Sequence, residues 1–236
     1  MNKKSINKNS SFINQLFTLI GGSLGTYLFP IFFSPILTRI YNPEEFAIYT
    51  IYLTIINVVA IVAALKYELG IPLVNSPKER YALLRISIIN TLLFSLFVFM
   101  VFSLYSYYLD SENIKRISYL EDLRCFVPIG IILTSLFYHI IYNVLLYKKK
   151  FKYISIAKIG FGFLYATLPI FIFKYYGLKG HLYLIYSHQI ALVLGLFLML
   201  MLFSRHIKIK NISTLFVFKG QDLISVLRKY SKFPLF

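Results

Sequence analysis

Six apolar stretches, each long enough to cross a bilayer, constrain this chain more than any other feature. They run over about residues 13–38, 46–66, 86–109, 126–147, 154–173 and 181–204. About 20 apolar residues of helix cover a hydrocarbon core. The runs are continuous and do not alternate, which predicts helices rather than barrel strands. Of 236 residues 58% are hydrophobic and 14% charged, a composition that leaves a soluble domain too little charge to cover its surface. The expected fold class is therefore an all-α integral membrane protein with six transmembrane helices. A short tail precedes them over 1–12, the helical lobe occupies 13–204, and a basic segment follows over 205–236.

The loops carry an orientation signal. Counted loop by loop, Lys and Arg number 17 on the side of the N-terminus and 6 on the other, and Lys66 and Lys158, at or inside spans, complete the 25. By the positive-inside rule both termini of this chain are expected in the cytoplasm. The first span follows a basic head, as a signal peptide would. Its apolar run continues through Thr38 without a small-x-small cleavage site, so an uncleaved span is expected.

The formal charge of +16 would point a soluble protein toward nucleic acid. Here the cations flank the spans, so membrane lipids are the expected partners and nucleic acid is not. Cys125 is the single cysteine, which excludes an internal disulfide and a thiolate metal cage. There is no Gly-rich phosphate loop and no His-Glu-x-x-His, so neither a cofactor nor an enzyme is expected. The adjacent acids Glu121 and Asp122 alternate with Lys115, Arg116 and Arg124 and read as a solvated loop.

Polar groups within the spans are the candidate functional residues, because lipid makes them costly. Thr50, Thr54 and Asn57 share a helical face in the second span. Lys66 and Glu68 close that span, two residues apart and so not facing each other on a helix. Ser135, His139 and Asn143 form an i, i+4 stripe in the fourth span, expected to face the bundle interior. The two stripes nominate spans two and four as cavity walls. Span three, with little polarity, is expected to face lipid. Lys158 lies near the start of the fifth span with Gly162 and Tyr165 on roughly its face, and snorkelling to the headgroups is its simplest role. His188 and Gln189 occupy the first half of the sixth. Arg39 ends the first span, where interfacial anchoring is the default. In that span Gly21 and Gly25 have the spacing for close helix approach, and Pro30 and Pro35 are expected to kink its outer half.

Three segments carry a family resemblance. Ser34-Pro35-Ile36-Leu37-Thr38-Arg39-Ile40-Tyr41-Asn42-Pro43-Glu44-Glu45-Phe46 resembles the end of the first helix and first outer loop of polysaccharide biosynthesis flippases. These are the O-antigen and capsule translocases of the multidrug/oligosaccharidyl-lipid/polysaccharide exporter superfamily. Lys66-Tyr67-Glu68-Leu69 is similar to a basic-Tyr-Glu-Leu segment that follows their second helix. Lys229-Tyr230-Ser231-Lys232-Phe233-Pro234-Leu235-Phe236 resembles their linker into helix seven. Ala47 stands where the family commonly has Gly, and Lys66 where it has Arg. The resemblance covers the whole chain but only the first half of the family.

The resemblance implies one six-helix lobe of a two-lobe transporter in the bacterial cytoplasmic membrane, with the chain cut short of the second lobe. The implied cargo is an undecaprenyl-diphosphate-linked oligosaccharide, and other polysaccharide assembly proteins are implied partners. Arg39, Asn57, Lys66, Glu68, His139, Asn143 and Lys158 are the expected substrate-binding residues. A drug/cation antiporter of the same superfamily and a non-transporting membrane scaffold remain alternatives.

Overall fold

The structure, a computed structural model, describes the backbone of residues 3–111 and 118–204 and the side chains of residues 13–108 and 123–202. The side chains of Lys3, Lys4, Lys8, Glu121 and Asp122, and the whole basic segment over 205–236, lie outside the described residues. Among the described residues the chain consists of helices joined by short connections, with no strand. Its elements are α1 (Lys3–Ile40), α2 (Pro43–Ala63), a 3₁₀ turn (Tyr67–Gly70), α3 (Pro77–Ser111), α4 (Ser118–Ser135), a π segment (Leu136–Ile140), α5 (Ile141–Tyr147), α6 (Phe151–Tyr176) and α7 (His181–Ser204).

Counting α4, the π segment and α5 as one span, six helices among the described residues are long and apolar enough to cross a membrane. They coincide with the six apolar stretches of the sequence. Large hydrophobic side chains such as Phe32 (84% exposed) and Phe97 (60% exposed) project outward along them. Exposed apolar surface on that scale is stable in lipid and not in water. The chain is an all-α, multi-pass membrane protein.

Several boundaries differ from the sequence reading. The second span ends at Ala63 and not at 66, because Leu65 and Lys66 turn into the left-handed region (φ 51° and 61°) and end the helical ladder. The third begins at Pro77, nine residues before 86. Pro at the first helical position needs no donor there and is preset for the helix, so the polar start Lys78-Glu79-Arg80 is helical too. Helix α1 continues through both Pro30 and Pro35.

The helices sort into two compact units, one of α1, α6 and α7 and one of α2 through α5. In the first unit α6 is the central helix, packed on α1 and α7. The α1–α6 seam is built from small residues. A Cβ added to Gly22 would lie 2.6 Å from the Ser155 Cα, and one on Gly162 would lie 2.6 Å from the Thr26 Cα. Without a hydrophobic drive in lipid, such backbone approach is what dispersion forces reward. Gly21, by contrast, has nothing within 4 Å, so the close-approach face is Gly22–Gly25–Thr26 and the expected Gly21/Gly25 pair is corrected by one residue. Further out, Phe29 meets Phe163 edge-on with ring centroids 5.5 Å apart. The Tyr41 hydroxyl donates to the Pro169 carbonyl at 3.1 Å. Contacts advance together along both helices, so α1 and α6 run parallel. Gly160 meets Leu198 while Phe161 meets His188, so α7 runs antiparallel to α6.

In the second unit α4 is central, packed on α2 and α3. Tyr52 and Ile56 of α2 close on Gly130, where a Cβ would lie 2.5 Å from the Tyr52 hydroxyl. The α3–α4 contact corrects the expectation that span three faces lipid, because one of its faces is packed. Ser87, Thr91 and Ser95, at i, i+4 and i+8, are all buried. Ser95 donates to the Pro128 carbonyl at 2.9 Å, and the Thr91 and Ser135 hydroxyls lie 3.2 Å apart. Thr91 already donates to the Ser87 carbonyl, so Ser135 supplies the proton of that pair. Beside this stripe Leu92, Leu93, Leu96 and Phe97 of α3 are exposed.

Candidate functional site

Four of the sequence-nominated residues gather in the second unit: Lys66, Glu68, His139 and Asn143. The segment between α2 and α3 brings the first two into place. After Ala63 the chain makes a run of i→i−3 turns, with Tyr67 N–H bonded to the Ala64 carbonyl, Leu69 to Lys66, Ile71 to Glu68 and Leu73 to Gly70 at 3.1–3.2 Å. Two successive non-glycine residues in the left-handed region cost on the order of 1–3 kcal/mol each and persist only when held from outside.

The hold comes from α3. Ile71 and Val74 bury themselves against Ala82, Leu83 and Ile86, with Tyr67 and Val144 packed alongside. Arg80 completes the clamp. Its guanidinium donates to the carbonyls of Ile71 and Val74 and lies 3.5 Å from the centroid of the Tyr147 ring. A planar cation with several donors is suited to bind carbonyls at its edge and a ring at its face.

Glu68 is carried inward by this fold. It is 1% exposed, and its Oε2 is buried without a hydrogen-bond partner. Burial holds its carboxyl above the ordinary carboxylate range, opposed by its own backbone amide and by the Lys66 charge, both of which favour the anion. A buried carboxylate left half-satisfied is costly, so the site favours the neutral acid.

The facing wall is the π segment. The Ile141 N–H reaches back five residues to the Leu136 carbonyl, a local widening that recurs at functional sites. The Asn143 amide donates to the His139 carbonyl at 2.8 Å within this irregular stretch. His139 is half-buried, and Lys66 is near enough for its charge to act on that imidazole. Ser135 and Asn143 are buried, as the stripe predicts. Asn57 shares an exposed face of α2 with Thr50 and Thr54, whose hydroxyls donate to the Phe46 and Thr50 carbonyls. That face is turned away from the packed interior of its unit, so as a wall it belongs to an outer surface of α2.

The first unit holds the other two nominated residues. Lys158 sits inside the α6 span, and its Nζ donates to Ser23 Oγ at 3.3 Å. Thr26 donates across the seam to the Lys158 carbonyl at 3.1 Å, and Ser155 donates to the Thr18 carbonyl at 2.6 Å. The ammonium is directed into a polar seam rather than only toward headgroups. Tyr165, two turns beyond Lys158 on roughly its face, stacks on Phe161, and the Tyr165 and Phe161 rings meet His188 edge-on at 5.4 and 5.8 Å. Arg39 is exposed at the end of α1, in keeping with an interfacial anchor.

Sequence reasoning missed Arg80 as a structural clamp and the buried Ser87–Thr91–Ser95 stripe. The i, i+4, i+8 spacing of three small hydroxyls was the available signal. No family model matches the chain, and no curated protein or solved structure matches it.

Proposed function

We propose that the chain is a transporter lobe that moves a lipid-linked, diphosphate-bearing oligosaccharide from the inner to the outer leaflet of a bacterial cytoplasmic membrane, for surface polysaccharide synthesis. It does so as a carrier rather than an enzyme, with both of its termini cytoplasmic. Lys158 carries the reading. An ammonium inside a transmembrane helix, held by Ser23 in a seam of small polar residues, is costly unless it has work to do. A diphosphate is the partner that such a cation recognises most strongly where water is scarce.

The helix boundaries support the same reading. The segment that resembles the flippases' first outer loop falls where α1 ends and α2 begins, and the Lys66–Leu69 segment falls directly after α2. Tyr and Phe are abundant, at 20 and 23 residues, and offer stacking surfaces for sugars. In cells that depend on this chain for glycan export, Lys158→Ala should weaken export at equal protein level, while Lys158→Arg should retain part of it. Unchanged export by the alanine variant would overturn the role of Lys158.

A further inference from the structure

The first unit carries positive charge that no carboxylate side chain of its own balances. None of the nine Asp and Glu residues of the chain falls within residues 1–42 or 148–206, which form that unit. Its cations are densest in the turn that leads into α6, the run Lys148-Lys149-Lys150-Phe151-Lys152. Lys148, Lys149 and Lys152 are exposed there, and the Lys150 ammonium lies over the Tyr153 ring at 5.5 Å.

The start of α6 sharpens the imbalance. The first turn of a helix favours acids, because it is the positive end of the helix dipole. Helices α2 and α3 follow that rule, with Glu44 and Glu45 in one and Glu79 in the other. Helix α6 has no acid in its first turn and carries Lys152 there instead. These like charges repel one another, and an anion from outside the unit reverses the sign of that interaction.

The surface next to the lysines indicates which anion. Ile156, Ile159 and Phe163 are exposed, and on a helix they point within about 60° of Lys152. The strip extends about 16 Å along the axis from Lys152, roughly the hydrocarbon depth of one leaflet. An acidic protein segment could use the cations but not the apolar strip. A lipid uses both.

We propose that the start of α6 binds an anionic phospholipid from the surrounding leaflet. Lys149 and Lys152 hold the headgroup phosphate, and an acyl chain lies along Ile156, Ile159 and Phe163. Lys158 is not part of this site. It points about 120° away from Lys152 around the helix and reaches Ser23 in the α1 seam. Failure of the glycan-export reading therefore leaves the lipid site intact.

The chain contains no Trp, so Ile156→Trp places a single fluorophore on the strip. The full chain with this reporter is placed in phosphatidylcholine nanodiscs. Its fluorescence is then quenched with brominated-chain phosphatidylglycerol or, separately, brominated-chain phosphatidylcholine over a series of mole fractions. Phosphatidylglycerol should reach half-quenching at the lower mole fraction. Lys149→Gln and Lys152→Gln together should remove that preference, at about fivefold for each lysine. Lys174→Gln and Lys179→Gln remove the same charge from exposed positions at the far end of α6 and should leave the preference unchanged. Equal quenching by the two lipids would overturn the proposal and leave the lysines to an acidic protein partner. An equal loss from both lysine pairs would overturn it too, since net charge alone would then be responsible. If the Trp variant fails to fold, native mass spectrometry of the unsubstituted chain decides. Selective retention of phosphatidylglycerol, lost in the Lys149/Lys152 pair, is expected, and equal retention of both lipids overturns the site.

Discussion

The two helical units solve the same problem by opposite means. Inside lipid, helices gain nothing from hiding apolar surface from one another. The α1–α6–α7 unit answers with proximity: Gly22, Gly25 and Gly162 bring two backbones together, and the hydroxyls of Ser155 and Thr26 bond across the gap. The α2–α5 unit answers with side-chain polarity and irregular backbone. It has a buried Ser/Thr stripe, a π segment, and a strained turn that carries a buried acid. A seam of glycines has one good geometry and resists change. The second unit holds its strained turn through side-chain contacts from α3 instead, which tolerate more adjustment than touching backbones. The difference teaches which substitutions each unit should tolerate: the first is sensitive to added volume, the second to lost polar contacts.

The largest expected break in this comparison is Gly162→Leu. Its Cβ would fall 2.6 Å from the Thr26 backbone, where no rotamer can relieve it, so destabilisation of about 3 kcal/mol is expected from overpacking. Gly21→Leu, one residue out of phase with nothing within 4 Å, should change stability by less than about 0.5 kcal/mol. Equilibrium unfolding in mixed micelles would measure both, and equal effects would mean that the seam is not where the glycines place it.

Arg80→Gln comes next. It removes the charged donors to Ile71 and Val74 and the contact with the Tyr147 ring, a loss of about 2 kcal/mol. The effect should be confined to the second unit, with faster proteolysis between α2 and α3 and no added cleavage in α6. The smallest expected effect is a double-mutant cycle of Thr91→Val with Ser135→Ala. Their 3.2 Å contact should couple by about 0.6 kcal/mol, the usual size of such a bond in a membrane helix pair.

The helices themselves were legible because lipid imposes one rule, a run of about 20 apolar residues, and the chain obeys it six times. The stripe Ser135–His139–Asn143 was legible for a similar reason, since a polar face inside an apolar helix has few places to go. Other features turned on details that helical periodicity does not carry. Gly21 and Gly22 are neighbours in sequence, yet their directions differ by about 100° on a helix, and only the partner helix decides which of them matters. Ser87, Thr91 and Ser95 looked unremarkable because a hydroxyl can satisfy itself on its own helix, as Thr91 does with the Ser87 carbonyl. The burial of Glu68 depends on two non-glycine residues adopting φ near +60°, a conformation that the sequence Leu65-Lys66 gives no reason to expect.

The parallel pairing of α1 with α6 sets a timetable for biogenesis. Helices α2 to α5 of the second unit follow one another in the chain, so each can dock soon after leaving the ribosome. The helices of the first unit are not consecutive. Helix α1 ends at Ile40 and its partner begins at Phe151, a gap of about 110 residues, or on the order of 10 s of translation. For that interval the face of Gly22, Gly25 and Thr26 rests against lipid or the insertion machinery. The surface that later admits α6 is, until then, equally open to the α1 of a second nascent copy.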